Sequence, residues 1–347
     1  MPKEHDTPQT GPTVIGTIAL GLHWPTLDPF LFVAHHRDQY PPGNANLGVD
    51  RSQLMGRNMG SDFELRDGWR MYHGSEVPGF PQHPHRGFET ITLAREGYVD
   101  HHDSLGASAR FGDGDVQWMT AGQGVVHSEM FPLVDSDRNN PTELFQIWLN
   151  LPASSKMVEP HFKMLWREAL PSLEFVDDEG RTTQVHLIAG ALEDEAPPSP
   201  PPHSWAVDPA RGVQVWRISM APGACWTLPA TEPGHTRVLY VHSGGRLRVA
   251  DTDVSAPTGV QLNPSAAVAL ENGSEATEML LLSGRSIREP VAQHGPFVMN
   301  TSAELQQAFQ DYRGTGFGGW PWPSDAPVHA QSQGRFADHG NGRREDP

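Results

Sequence analysis

The amino-acid sequence predicts an all-β chain made of two similar domains. Two observations carry that expectation. Short β-favouring runs separated by glycine turns fill residues 14–150, and runs of the same kind return from about 183 to 290. Many short strands at close spacing point to a sandwich or small barrel in each half. A length of 347 residues also suits two domains better than one.

Residues 1–13 (MPKEHDTPQTGPT) are polar and proline-bearing and are expected to fray. Residues 90–94 (TITLA) and 115–120 (DVQWMT) show β-favouring residues in partial alternation, with Glu96-Gly97 and Gly112-Asp113-Gly114-Asp115 as turn signals. Residues 144–150 (LFQIWLN) form a further strand, stopped at Leu151-Pro152. Strands at 184–189, 213–218, 238–241 and 279–282 build the second half. Residues 95–99 (REGYV) and 242–249 (HSGGRLRV) both read as strand, glycine turn, strand, consistent with a diverged internal duplication. The acidic, then proline-rich segment 193–203 (EDEAPPSPPPH) can form neither a helix nor a central strand and is expected to be an extended surface loop.

One helix is predicted after Thr301, the N-cap, with Glu304 completing a capping box. Leu305, Ala308, Phe309 and Tyr312 make its apolar stripe, and Gly314 stands where it would stop. The expected division is a first domain over 14–160, a second over 161–320 and a loose tail over 321–347.

Composition narrows the function classes. Twenty-five Lys and Arg stand against 42 Asp and Glu, a net charge of −17. So acidic a surface repels phosphate backbones and disfavours direct nucleic-acid binding. Ten Trp and 14 Phe are enough for well-packed cores. No apolar run approaches the roughly 20 residues of a membrane span, and the N-terminus has no basic-plus-apolar signal. The expectation is a soluble, cytoplasmic protein without membrane contact. A single cysteine, Cys225, excludes an internal disulfide framework and a thiolate-cluster zinc site.

Eighteen histidines are a surplus, but at that frequency a His-x-His pair arises by chance about once in the chain. What surrounds the pair carries the argument. The block 79–90 (GFPQHPHRGFET) places His83 and His85 two apart, so that a strand would aim both imidazoles at one side. Glu89 lies four residues further on and shares that face if the strand continues. Pro84, between the histidines, lacks an N–H and needs an edge or a bend. The block 112–129 (GDGDVQWMTAGQGVVHSE) has Gly122 and Gly124 for a tight turn, then His127 and Glu129, again two apart. Brought together, the blocks would surround a divalent ion with three imidazoles and one carboxylate. That donor set suits Fe(II), Mn(II), Ni(II), Cu(II) or Zn(II) and is too nitrogen-rich for Ca(II) or Mg(II). On a six-coordinate metal it leaves two adjacent positions open. A lone strand histidine is more often a packing residue, so the case rests on the two blocks jointly.

These blocks resemble the pirin family of the cupin superfamily. The resemblance runs through 83–90 (HPHRGFET), 103–106 (DSLG), 114–122 (GDVQWMTAG), 126–130 (VHSEM), 146–152 (QIWLNLP), 289–291 (EPV) and 294–301 (HGPFVMNT), and spans about 25–320. It implies two tandem cupin barrels (double-stranded β-helix, or jelly-roll), with a short C-terminal helix. The first barrel would hold a non-haem iron on His83, His85, His127 and Glu129. Glu89 occupies a position that many other cupins use as a ligand; pirins leave it unligated or beside the metal, and Glu129 is the favoured fourth ligand. The second barrel offers no matching set, so His235, His242 and His294 are read as ordinary polar or core residues. The stretch 32–80 is longer than in many pirins and reads as a surface loop in preference to a lid over the metal barrel.

The resemblance implies an Fe(II)-dependent dioxygenase acting with O₂ on flavonols such as quercetin. Glu129 would accept the substrate's hydroxyl proton. Gln146, Trp118 and Met119 are pocket candidates, core packing being as good a reading for the last two. The alternative is a regulatory module, an iron redox sensor that binds a basic protein partner without turnover. Both readings use the same four ligands.

Overall fold

Single glycines turn the chain from one sheet into another. In the computed structural model, which describes residues 11–347, strands Phe88–Glu96 and Tyr98–Asp103 are separated only by Gly97 and lie in different sheets. Gly97 has φ 76°, and a Cβ there would meet the Thr142 hydroxyl at 2.8 Å and the Pro141 carbonyl at 2.9 Å. The corner recurs at Gly244 (φ 111°), between strands His235–Ser243 and Arg246–Val249, where a Cβ would meet the Thr277 hydroxyl at 2.5 Å and the Ala276 carbonyl at 2.7 Å. A side chain at either position would be both strained and blocked. The matched corners bear out the strand–glycine–strand repeat read from the sequence. The fraying expected of residues 1–10, His5 among them, lies outside the described residues.

The chain groups into two units, each built on two main β-sheets, and the unit described first also carries the two-stranded ribbon Ala292–His294 and Phe297–Met299. One comprises residues 33–168, 200–204 and 289–347; the other comprises 11–32, 169–199 and 205–288. In the first, one sheet runs in the order His161–Leu165, Asp115–Thr120, Phe88–Glu96, Asn140–Asn150, Phe30–Tyr40. Its other sheet runs Arg344–Glu345, Phe336–Asp338, Ser108–Gly112, Tyr98–Asp103, Val125–Met130, Gly79–His85. Between them lies a core that includes Val99, Phe111, Met119, Phe131, Leu144 and Phe162. In the second unit a seven-stranded sheet, with Val14–Ala19 at one edge and Ser172–Val176 at the other, accompanies a four-stranded sheet. Val185, Trp216, Leu239, Leu247 and Leu281 are in its core.

The grouping differs from the sequence division at 160/161. Strand Val14–Ala19 pairs with Thr258–Leu262 and so belongs with the later residues. Residues from 289 onward belong with the early ones. Backbone pairing joins segments far apart in sequence, which a boundary drawn from local composition does not register.

Helix Ser302–Thr315 starts as predicted, with a reciprocal capping box between Thr301 and Glu304. Its stop is two residues later than Gly314: Gly316 takes the left-handed conformation (φ 56°). Leu305, Ala308, Phe309 and Tyr312 pack with Val126, Phe297 and Phe317. Arg86 ties the helix to the barrel, with Nη1 donating to Asp311 at 2.6 Å and Nε to the Gln123 carbonyl at 2.6 Å.

Two further expectations are corrected. The stretch 32–80 is packed structure: Tyr40, Val49, Trp69, Met71 and Tyr72 belong to the buried core. Buried Arg57 stacks 3.3 Å over Trp69 and donates to Asp62 at 3.0 Å. The residues 321–347, read as a loose tail, run as an arm along the first unit. Strand Phe336–Asp338 extends the sheet at Ser108–Gly112. Buried Arg110 makes paired bonds of 2.7 Å to Asp100 and also donates to the carbonyls of His329, Ala330 and Gln333. Polar composition made the arm look free, whereas its backbone carbonyls are what Arg110 holds.

Arg110→Met would take the guanidinium from buried Asp100 and leave it the His329 N–H at 2.8 Å. We expect a loss of about 3–5 kcal/mol in the first unit and early proteolytic cleavage within 327–335, read by limited digestion and mass spectrometry. Digestion at the wild-type rate would contradict the clamp.

Candidate metal centre

The histidine strand Gly79–His85 lies at the edge of its sheet, as Pro84 requires. It pairs antiparallel with Val125–Met130, and His83 stands opposite His127. A register shift between Phe80 and His83 frees Pro81 and Gln82 from the ladder. Ligand atoms of His83, His85 and His127 all lie within 4.8 Å of one another. His85 and His127 are buried, at 2% and 0% exposure, and His83 is partly exposed.

The protonation of these rings follows from their surroundings. His83 Nδ1 lies 2.8 Å from the Pro81 carbonyl, which can only accept, so the neutral ring carries its hydrogen on Nδ1 and its lone pair on Nε2. Burial lowers its pKa to about 4, with His73 and His101 contributing to the fall. Burial, then the neighbouring imidazoles, holds His85 and His127 well below the ordinary histidine value. Neither ring nitrogen of His85 or His127 has a hydrogen-bond partner; the Pro296 carbonyl lies toward His85 outside hydrogen-bond geometry. Leaving a buried polar atom unpaired costs about 1–3 kcal/mol. Neutral imidazoles with unused lone pairs, converging in a buried place, are donors fitted to a divalent transition metal.

Glu129 stands beside this cluster. Its Oε2 is 3.8 Å from His127 Nε2. Gln146 Nε2 donates to Oε2 at 2.6 Å, and the Thr92 hydroxyl donates to Oε1 at 3.1 Å. Trp148 Nε1 donates to Gln146 Oε1 at 3.3 Å, which fixes the Gln146 amide with its NH₂ toward Glu129. Burial raises the Glu129 pKa, while the nearby His101 ring and these hydrogen bonds pull it down.

Glu89 is not among these groups. Gly87, with φ 87°, breaks the strand between His85 and Phe88, and a Cβ there would fall 2.0 Å from the Val298 carbonyl. Buried Lys156 holds the break by donating to the Gly87 and Val298 carbonyls at 2.8 and 3.2 Å. The break resets the alternation: the Phe88 ring packs on His85 and Trp148, and Glu89 takes the other face. There the Thr120 and Ser204 hydroxyls donate to its two oxygens at 2.6 and 2.5 Å. Trp118 shares that face with Glu89 and is fully buried. Met119 takes the inward face opposite Thr90 and is core. Of the three pocket candidates, Gln146 alone bonds to the carboxylate beside the cluster.

Thr92, Trp148 and His101 were not singled out in the sequence. His101 is the register partner of Glu129, packs on His127 at 5.5 Å between ring centroids, and is oriented by Asp103 Oδ2 at 3.2 Å. The string Asp100-His101-His102-Asp103 was its only signal. Among the described residues, no His and carboxylate group of comparable convergence is built from the second unit alone.

Glu89→Gln is expected to leave the metal content of the purified protein at the wild-type level, read by elemental analysis. Loss of metal in that variant would move the fourth ligand to Glu89.

Fold and site together define a two-barrel cupin whose first unit carries an imidazole-rich centre. Residues 18–149 match the Pirin family model and residues 215–318 match the model of the Pirin C-terminal cupin domain. The chain belongs to the pirin family. It is 39% identical to a pirin-like protein of Caulobacter vibrioides, over 78% of this chain and 94% of that one. Identity to human Pirin is 35%, over 70% of this chain and 79% of that one. A Pseudomonas aeruginosa protein provisionally named quercetin 2,3-dioxygenase is 36% identical, over 68% of this chain and 79% of that one. Among solved structures, quercetin 2,3-dioxygenase from Acinetobacter baumannii superposes with a TM-score of 0.68 at 27% identity, covering 88% of this chain and 98% of that one. No described helix is long and apolar enough to cross a membrane.

Proposed function

We propose that this chain is a metal-dependent dioxygenase that opens the central ring of quercetin-type flavonols. The observation that carries the reading is the buried convergence of His83, His85 and His127 with Glu129 held beside it. His83, His85 and His127 would hold Fe(II), with Glu129 as the fourth ligand in its closest position. The ion would supply two open positions for the flavonol's 3-hydroxyl and 4-carbonyl and would acidify that hydroxyl.

The protein's own contributions are positional and electrostatic. Glu129 accepts the hydroxyl proton, its lone pairs directed by Thr92 and Gln146. Trp148 keeps Gln146 from turning its carbonyl toward the carboxylate. Burial keeps the imidazoles neutral at physiological pH. The stacked rings of Phe88 and Trp148, 3.9 Å between centroids, both meet His85 edge-on, and His85 is buried.

The test is O₂ uptake with quercetin by protein of measured metal content. Stoichiometric O₂ consumption with loss of the flavonol's absorbance is expected. No uptake by iron-loaded protein over a broad flavonol panel would count against the enzyme and in favour of a redox-sensing module.

A further inference from the structure

The stretch 32–80 brings His73 near the partly exposed member of the cluster, and its hydrogen bonding prescribes what it can recognise. Of the three imidazoles His83 alone is partly exposed, and its side is the one by which a ligand would approach. Phe80 packs against His83 at 6.3 Å between centroids, and His73 meets Phe80 edge-on at 5.7 Å. Phe63 backs both, 5.0 Å from His73 and 6.4 Å from Phe80. Phe63 and His73 come from the stretch 32–80, whose buried Trp69, Met71 and Tyr72 belong to the core against which Phe63 packs. The His73 backbone N–H is also bonded to the Gly79 carbonyl at 3.1 Å. On the other flank Gln82 Nε2 donates to Asp325 of the arm at 2.7 Å, which fixes the rim there.

His73 Nδ1 lies 2.6 Å from the Gly60 carbonyl. A carbonyl only accepts, so in the neutral ring the hydrogen sits on Nδ1 and Nε2 is a free-standing acceptor on an exposed side chain. A planar aromatic held at the cluster and extending past Phe80 would come to the His73 ring, whose remaining polar atom is the Nε2 acceptor. The complementary group is a phenolic O–H.

We propose that His73 is a specificity-determining residue: its Nε2 accepts a hydrogen bond from a phenolic hydroxyl on the ring of the substrate that projects past His83. The proposal rests on the flavonol reading above. It makes the stretch 32–80 the part of the chain that distinguishes polyhydroxylated flavonols from bare ones.

Metal-loaded protein kept free of O₂ is titrated with quercetin and with 3-hydroxyflavone, which keeps the chelating pair and lacks the other hydroxyls. Quenching of tryptophan fluorescence reports binding. Wild type is expected to bind quercetin about tenfold more tightly than 3-hydroxyflavone, the worth of one well-made hydrogen bond. His73→Phe keeps an aromatic ring and removes the acceptor together with the bond to the Gly60 carbonyl, so the ratio should fall close to one. His73→Gln, which restores an acceptor, should recover part of the preference. A ratio unchanged in His73→Phe, or a ratio of one in wild type, overturns the role of His73 and leaves the flavonol reading standing. Failure of wild type to bind either ligand overturns both.

Discussion

His127→Ala is expected to purify with most of its metal missing and to lose flavonol-dependent O₂ uptake by about a thousandfold, the rate equivalent of several kcal/mol of metal-derived stabilisation. His127 is the member of the cluster opposite His83 in the ladder and packs against both other rings, at 4.4 Å from His83 and 4.8 Å from His85. Removing it leaves two imidazoles, one of which, His83, faces the open side. The fold should survive, because an alanine there relieves two buried unpaired nitrogens and leaves the strand's backbone ladder intact. Circular dichroism, elemental analysis and O₂ uptake on one sample separate the effects. Full metal content with full activity would remove His127 from the centre.

Glu129→Gln probes the carboxylate without emptying the imidazole cluster. The amide cannot take a proton from the substrate hydroxyl, and loss of a general base costs about a hundredfold to ten-thousandfold in turnover. The geometry sharpens this. Glu129 presents two acceptor oxygens to two donors, Gln146 Nε2 and the Thr92 hydroxyl. A glutamine with its oxygen toward Gln146 keeps that bond, and its NH₂ can donate to the Thr92 hydroxyl, which turns from donor to acceptor, so the contacts survive and the proton acceptor is lost. The expected result is retained metal with turnover lost. Wild-type turnover in Glu129→Gln would show that the proton leaves by another route.

The sequence disclosed some parts of this arrangement readily. His83, His85 and His127 were legible because two-residue spacing on a strand is a local property. The capping box at Thr301 and Glu304 was legible for the same reason. Glu89 would share the face of His85 only if the strand ran on through Gly87, and the backbone breaks there. Thr92, Trp148 and His101 were hidden because their relevance comes from cross-strand register, not spacing along the chain. The stretch 32–80 looks like a loop in sequence because its buried residues, Val49, Trp69, Met71 and Tyr72, are too scattered to show a period. The arm was missed because its anchoring acceptors are main-chain carbonyls, which every residue carries.

The arm also sets the order in which the first unit is completed. The strand Ser108–Gly112 precedes its edge partner Phe336–Asp338 by about 220 residues. At translation rates of about 5–20 residues per second, that edge of the nascent sheet waits about 10–45 s for its cover. An uncovered strand edge is a template for pairing with other chains. Chains that end before residue 336 should therefore self-associate where the complete chain does not.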